Sequence, residues 1–119
     1  VGAPRLASGY GALQWTRFHA ARAREPRGAE HVRGAGRAAA RTIDLLAPLP
    51  SAAEAARLAL EAGREARESN PATSAALFED VRDALDRVTS GRIRGLGLGA
   101  LAREARSLDD ASHAEARRP

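Results

Sequence analysis

The stretch TSAALFEDVRDALDRVTSGRIRGLGLGALAREARSL, residues 73–108, decides the fold. Leu77, Val81, Leu85 and Val88 recur at the spacing of one helix face, with Phe78 beside them. Ser90-Gly91 breaks the pattern, and Leu101, Ala105 and Leu108 resume it. The reading is two helices joined by a glycine turn. Gly95-Leu96-Gly97-Leu98-Gly99 invites comparison with a phosphate-binding loop. A dinucleotide fingerprint needs a preceding strand in a βαβ unit, and none is present. A P-loop needs a lysine, and the chain has none. The segment therefore reads as a flexible or closely packed turn, with a last helix from about Leu98 to Leu108.

Working back along the chain, Asn70-Pro71 fits a helix start, with Asn70 as N-cap and Pro71 at the first helical position. Thr73 or Ser74 are alternative caps. Arg82–Asp86 and Asp83–Arg87, each four apart, read as a solvated helix face. They lack the cleft and neighbouring His that acid–base work would need. Ser51-Ala52-Ala53-Glu54 has the form of a capping box, and predicts a helix from Ala52 to about Ser69. Its expected buried face is Ala55, Leu58, Ala59, Ala62 and Ala66. Its expected exposed face is Arg57, Glu61, Arg64, Glu65 and Glu68. Residues 29–47 form another helix, with an a/d-like seam of Val32, Gly36, Ala39, Ile43 and Leu46. Pro48 and Pro50 stop it.

The first 28 residues read as a basic arm: extended over 1–10, where Gly2, Pro4 and Gly9 disfavour helix, then a short helix over 11–24. Ala12, Trp15 and Phe18 share one side of that helix, and Glu25-Pro26 ends the segment. Asp109 to Pro119 is a polar tail expected to be extended or disordered. The fold class is thus all-α: a small antiparallel bundle of three to five helices over 29–108, an N-terminal arm over 1–28 and a C-terminal tail over 109–119.

At 119 residues the chain is one domain by length. Its 44% hydrophobic fraction is largely Ala, with two Phe, one Tyr, one Trp and no Met. Ala favours helix but contributes little on burial, so the helices should pack closely through small residues. So thin a core suggests that a partner covers part of the surface. The absence of Cys excludes disulfides, thiol catalysis and Cys-ligated metal centres. All 19 basic residues are Arg, which alongside the Ala enrichment reads as the mark of a GC-rich genome. His19, His31 and His113 lie far apart in sequence, none with a second ligand at i+3 or i+4, so neither a metal nor a cofactor is expected. No stretch approaches the roughly 20 apolar residues of a membrane span.

Charge is uneven. Residues 1–41 carry eight Arg against Glu25 and Glu30, whereas residues 42–90 carry five Arg against nine acids. A basic arm beside an acidic middle is suited to docking on an acidic protein face, lipid head groups or RNA. Arg5, Arg17, Arg22 and Arg24 precede the first acid, a composition like that of an organelle transit segment. The chain opens on Val1, as expected of one that was trimmed or lost an N-terminal segment in maturation. Trp15 and Phe18, with Arg17, Arg22 and Arg24, are the candidate partner-binding residues.

The order of parts resembles one family: the fifth member of the alpha subcomplex of mitochondrial NADH:ubiquinone oxidoreductase, complex I. Thr42-Ile43-Asp44-Leu45-Leu46-Ala47-Pro48-Leu49-Pro50 is similar to that family's helix ending in an aliphatic pair before Pro. Arg57 falls near its aromatic–Arg pair. Leu77 to Val88, Ser90-Gly91-Arg92 and Leu101 to Leu108 are similar to the rest, so the likeness spans about residues 35–111. The resemblance implies a non-catalytic accessory subunit, without substrate or cofactor, on the matrix side of the inner membrane. Its partners would be the other subunits of the peripheral arm. Two alternatives stand beside it: an Arg-rich RNA-binding protein of a mitochondrial ribosome, and a helical module of a high-GC bacterium dimerising through the seam of residues 32–46.

Overall fold

The computed structural model describes residues 2–117, and every regular element in it is a helix. These are α1 (Gly2–Ala21), α2 (Gly28–Leu46), α3 (Pro50–Ala66), α4 (Pro71–Thr89) and α5 (Gly99–Ala116). The molecule is an all-α bundle shaped as a slab of 48 × 29 × 16 Å. Helix α2 packs against α1, α3 and α4, and α5 lies on α4 and α3.

The seam read from the sequence is what α2 buries. Val32, Ala39 and Ile43 are fully inaccessible, Leu46 is nearly so, and Gly36 is buried among them. Small residues let the neighbours close in. A methyl group on Gly36 would lie 3.1 Å from the Leu77 Cα of α4. One on Gly63 of α3 would lie 2.5 Å from the Phe78 ring. The bulky residues of α4 (Leu77, Phe78, Val81, Leu85 and Val88) are all fully buried as the periodicity predicts, and they fill the space that alanines leave.

Several expectations are corrected. Residues 2–10 are helical rather than extended. Pro4 falls in the first turn of α1, where backbone N–H groups have no helical partner to lose. Gly9 faces Leu46 so closely that a Cβ would overlap it. Arg5 fastens this end by donating from Nε to the Leu45 carbonyl at 3.1 Å and from its terminal nitrogen to the Asp44 carbonyl at 2.7 Å. On α1 the buried face is Gly9, Ala12, Leu13 and Thr16, whereas Trp15 and Phe18 lie outside the core.

The capping box does not form. Pro50, with its fixed φ and no N–H, starts α3 two residues early, so Leu49 becomes the N-cap and no side chain caps the end. Glu54 is instead held by Arg17 of α1. On α3, Leu58 is only half-buried, while Ala56, Leu60 and Gly63 join the interior. The exposed charges of α3 pair across helices: Glu65 with Arg24 and Arg64 with Glu104, as Glu54 does with Arg17. Asn70 and Pro71 occupy the positions expected of them, although the Asn70 side chain makes no capping bond.

The polar tail is also helical, through Ala116; its last two residues lie outside those described. The cause is Asp109, which is 3% exposed and accepts from Arg82 at 2.7 Å. Arg82 also reaches Asp110 at 3.2 Å, so α4 holds α5 at the two residues just beyond Leu108. The glycine turn is close-packed at Gly95 and Leu98, the latter 1% exposed. Gly97 has φ +76°, where a side chain would be strained.

Gly63→Ala forces a methyl into the Phe78 ring and should lower stability by about 1–3 kcal/mol. Gly11→Ala meets open space on a helix and should raise it by about 0.5–1 kcal/mol. Urea unfolding followed by circular dichroism separates the two.

Candidate functional site

The outer side of α1 is unlike the rest of the surface. The chain has four Phe, Tyr and Trp rings, and only Phe78 is in the core. Trp15 is 58% exposed, Tyr10 45% and Phe18 40%, all on one helix. Trp15 and Phe18, three residues apart, meet edge to face at 5.5 Å between centroids. The Arg22 guanidinium sits 4.1 Å above the Phe18 ring, a cation–π contact one turn further on.

Two histidines join this cluster. The turn after α1 returns the chain antiparallel, and His19 Nδ1 comes within 3.1 Å of His31 Nδ1 on α2. At that distance one ring donates and the other accepts, so the pair shares a single proton when both are neutral. His19 stacks on Trp15 with centroids 5.6 Å apart, and Phe18 packs edge-on against both imidazoles. Partial burial, then the charges of His31 and Arg22, lower the His19 pKa below its ordinary range. In the sequence these two residues stand apart, twelve positions from one another. The signal that pairs them is symmetry: each stands six residues from Glu25, the middle of the turn. The described residues hold no group of three His, Asp or Glu side chains placed to bind a metal ion.

The arginines nominated beside Trp15 and Phe18 divide in two. Arg17 binds Glu54 through two hydrogen bonds of 2.6 and 2.9 Å, and Arg24 binds Glu65 through two of 3.0 and 2.6 Å. Arg17 clamps α1 to α3 and Arg24 clamps the α1–α2 turn to α3, and the hydrogen-bonded guanidinium holds each carboxyl below the usual range. Arg22 stays with the aromatic cluster, 3.8 Å from Glu25.

Beside the cluster a groove of about 670 Å³ runs between α1 and α2. Gly11, Ala12, Gly34 and Ala38 line its bottom, Trp15 and His19 one wall, and Arg37 and Arg41 the other. These features define the class to which the site belongs: a surface of exposed rings and arginines on a helical bundle. Comparison with known protein families, curated proteins and solved structures finds no match to this chain.

The His19 ring supplies a pH test. Its neutral form is favoured in the fold, so on acidification the unfolded chain takes up the proton first. The contribution is complete above about pH 7 and is lost as pH falls through the unfolded value of about 6.5, levelling off once the folded ring protonates. The stability difference between the natural chain and His19→Gln should therefore shrink between pH 7.5 and 5, as read from denaturant midpoints at each pH.

Proposed function

We propose that this chain is a non-catalytic helical subunit that docks on a larger protein assembly through the outer face of α1. The observation that carries the reading is the placement of the aromatic rings. A chain short of bulky side chains spends three of four rings on its surface and builds its interior from alanine. Each such ring is about half exposed, so of the roughly 150–250 Å² an aromatic side chain can bury about half remains for a partner, rewarded at about 25 cal/mol per Å². Exposed aromatic rings, two of them in contact at Trp15 and Phe18, mark interaction surfaces.

The assembly we name is the peripheral arm of mitochondrial complex I, where electron transfer belongs to other subunits. Its support is the resemblance over residues 35–111, the stretch that supplies most of α2, all of α3 and α4, and most of α5. No helix among the described residues is long and apolar enough to cross a membrane. A protein partner suits the charge pattern better than RNA does. Arg5, Arg17, Arg24 and Arg33 are engaged within the chain, leaving few of the basic segment's arginines for a phosphate backbone. The dimerising alternative relied on the seam of residues 32–46, which is buried inside the bundle.

Cross-linking mass spectrometry on native mitochondrial membranes tests the assignment. Links from α1 to peripheral-arm subunits are expected; links to ribosomal proteins alone would contradict it. Trp15→Ala should keep the helicity and melting midpoint of the chain while its recovery with the assembly falls several-fold.

A further inference from the structure

The groove between α1 and α2 has a charge character that its neighbours lack. Four other surface grooves each include at least one carboxylate: Glu54 between α1 and α3, Glu65 beside the α1–α2 turn, Glu104 between α3 and α5, and Asp83 between α2 and α4. The groove beside Trp15 includes none. Its basic wall is Arg37 and Arg41, four residues apart and both exposed. Neither forms an ion pair or hydrogen bond with any described residue, although Arg5, Arg17, Arg24, Arg33, Arg82 and Arg87 all do. Two like charges one turn apart repel each other, so the fold gains nothing from the arrangement.

The opposite wall is Trp15, and the bottom between them is glycine and alanine. Along α1 the groove extends from Ser8 to His19, about 16 Å at the helical rise. That is the length of three helical turns. A shallow bottom without large side chains admits a helix to close packing, as helix-in-groove recognition requires. The arginine pair matches two carboxylates at the same i, i+4 interval on the incoming helix.

We propose that this groove is the docking site for an acidic amphipathic helix of a partner protein. The proposal rests on the reading of the chain as a docking subunit, and it specifies what docks. The partner's apolar stripe lies on Gly11, Ala12 and Ala38 against the Trp15 ring. A carboxylate pair along one edge of that stripe meets Arg37 and Arg41. Charge complementarity selects this occupant over RNA, because two free arginines beside an apolar bottom make a short ionic contact rather than a basic track.

Trp15 is the only tryptophan, so its fluorescence reports on the groove alone. The probe is a 14-residue helical peptide of Leu, Ala and Glu, with Glu pairs four apart beside a Leu stripe; a second peptide carries Lys in place of Glu. The Glu peptide should shift Trp15 emission to the blue saturably, and more weakly at high salt. The double variant Arg37→Ala, Arg41→Ala should bind about tenfold more weakly. Arg57→Ala with Arg103→Ala, which removes the same charge elsewhere, should bind as the natural chain does. Gly11→Leu projects into open space, so it should preserve the fold and block the peptide. Equal binding of the Lys peptide, no response to the Glu peptide, or an undiminished response in the Arg37, Arg41 double variant overturns the proposal. So does a Trp15 response to single-stranded RNA, or to a second copy of the chain in sedimentation, with none to the Glu peptide. Failure of the groove and failure of the assembly assignment are separable. If the double variant still joins the peripheral arm, the assignment stands and the groove falls; if the Glu peptide binds but no arm subunit cross-links, the reverse holds.

Discussion

The close approach of α4 to Gly36 of α2 and Gly63 of α3 is the constraint on which the rest of the molecule depends. At Gly36, α2 and α4 approach until a single methyl would press on the Leu77 backbone, and at Gly63 the Phe78 ring occupies the place of a side chain. Helices this close need little filling. The core therefore closes around one aromatic ring and the aliphatic residues of α4, with Val32, Ile43 and Leu60 among the alanines of α2 and α3 opposite them. Close packing at interior density recovers dispersion energy that small side chains would not supply across a wider gap. Because the core is complete with Phe78 alone, Tyr10, Trp15 and Phe18 are free to serve another purpose.

Arginine does the work of fastening. Arg17, Arg24 and Arg87 each grip one carboxylate through two nitrogens, a geometry that lysine lacks. These pairs are largely exposed and each adds little stability. They do fix which helix lies beside which. The C-terminal end of α2, cut off by Pro48, shows the pattern most fully. Arg5 and Arg94 donate to its Asp44 carbonyl, while Arg87 holds the Asp44 side chain. Guanidinium groups at this end satisfy carbonyls that the helix leaves free and complement its dipole. Through these bonds α2 organises α1, α4 and the glycine turn at once. Arg37 and Arg41 take no part in this fastening; they lie four residues apart on α2, beside the groove that Trp15 lines.

The all-α architecture was legible because α2 and α4 carry long, regular apolar periods, and because Pro48 and Pro71 punctuate the chain where they should. What was not legible depended on tertiary partners. Gly9 reads as a helix breaker until Leu46 is set against it. Glu54 reads as half of a capping box until Arg17 arrives from another helix. Asp109 reads as the start of a solvated tail until Arg82 buries it. Each is a local preference overridden by a contact distant in sequence. Of the nominated site, Trp15 and Phe18 were recognised by their rarity, and Arg17 and Arg24 by their number rather than their use. The His19–His31 pair was invisible to spacing rules, since its two members meet across a turn rather than along one helix.

The central claim is that the outer face of α1 is a covered surface in the working state of the protein. Hydroxyl-radical footprinting of Trp15, Phe18 and Tyr10 compares the purified chain with the chain in native membranes most directly. The account predicts strong labelling of Trp15 and Phe18 in isolation and marked protection in the native particle, with exposed α3 residues such as Glu61 labelled alike in both. Equal labelling of Trp15 in the two states would contradict it.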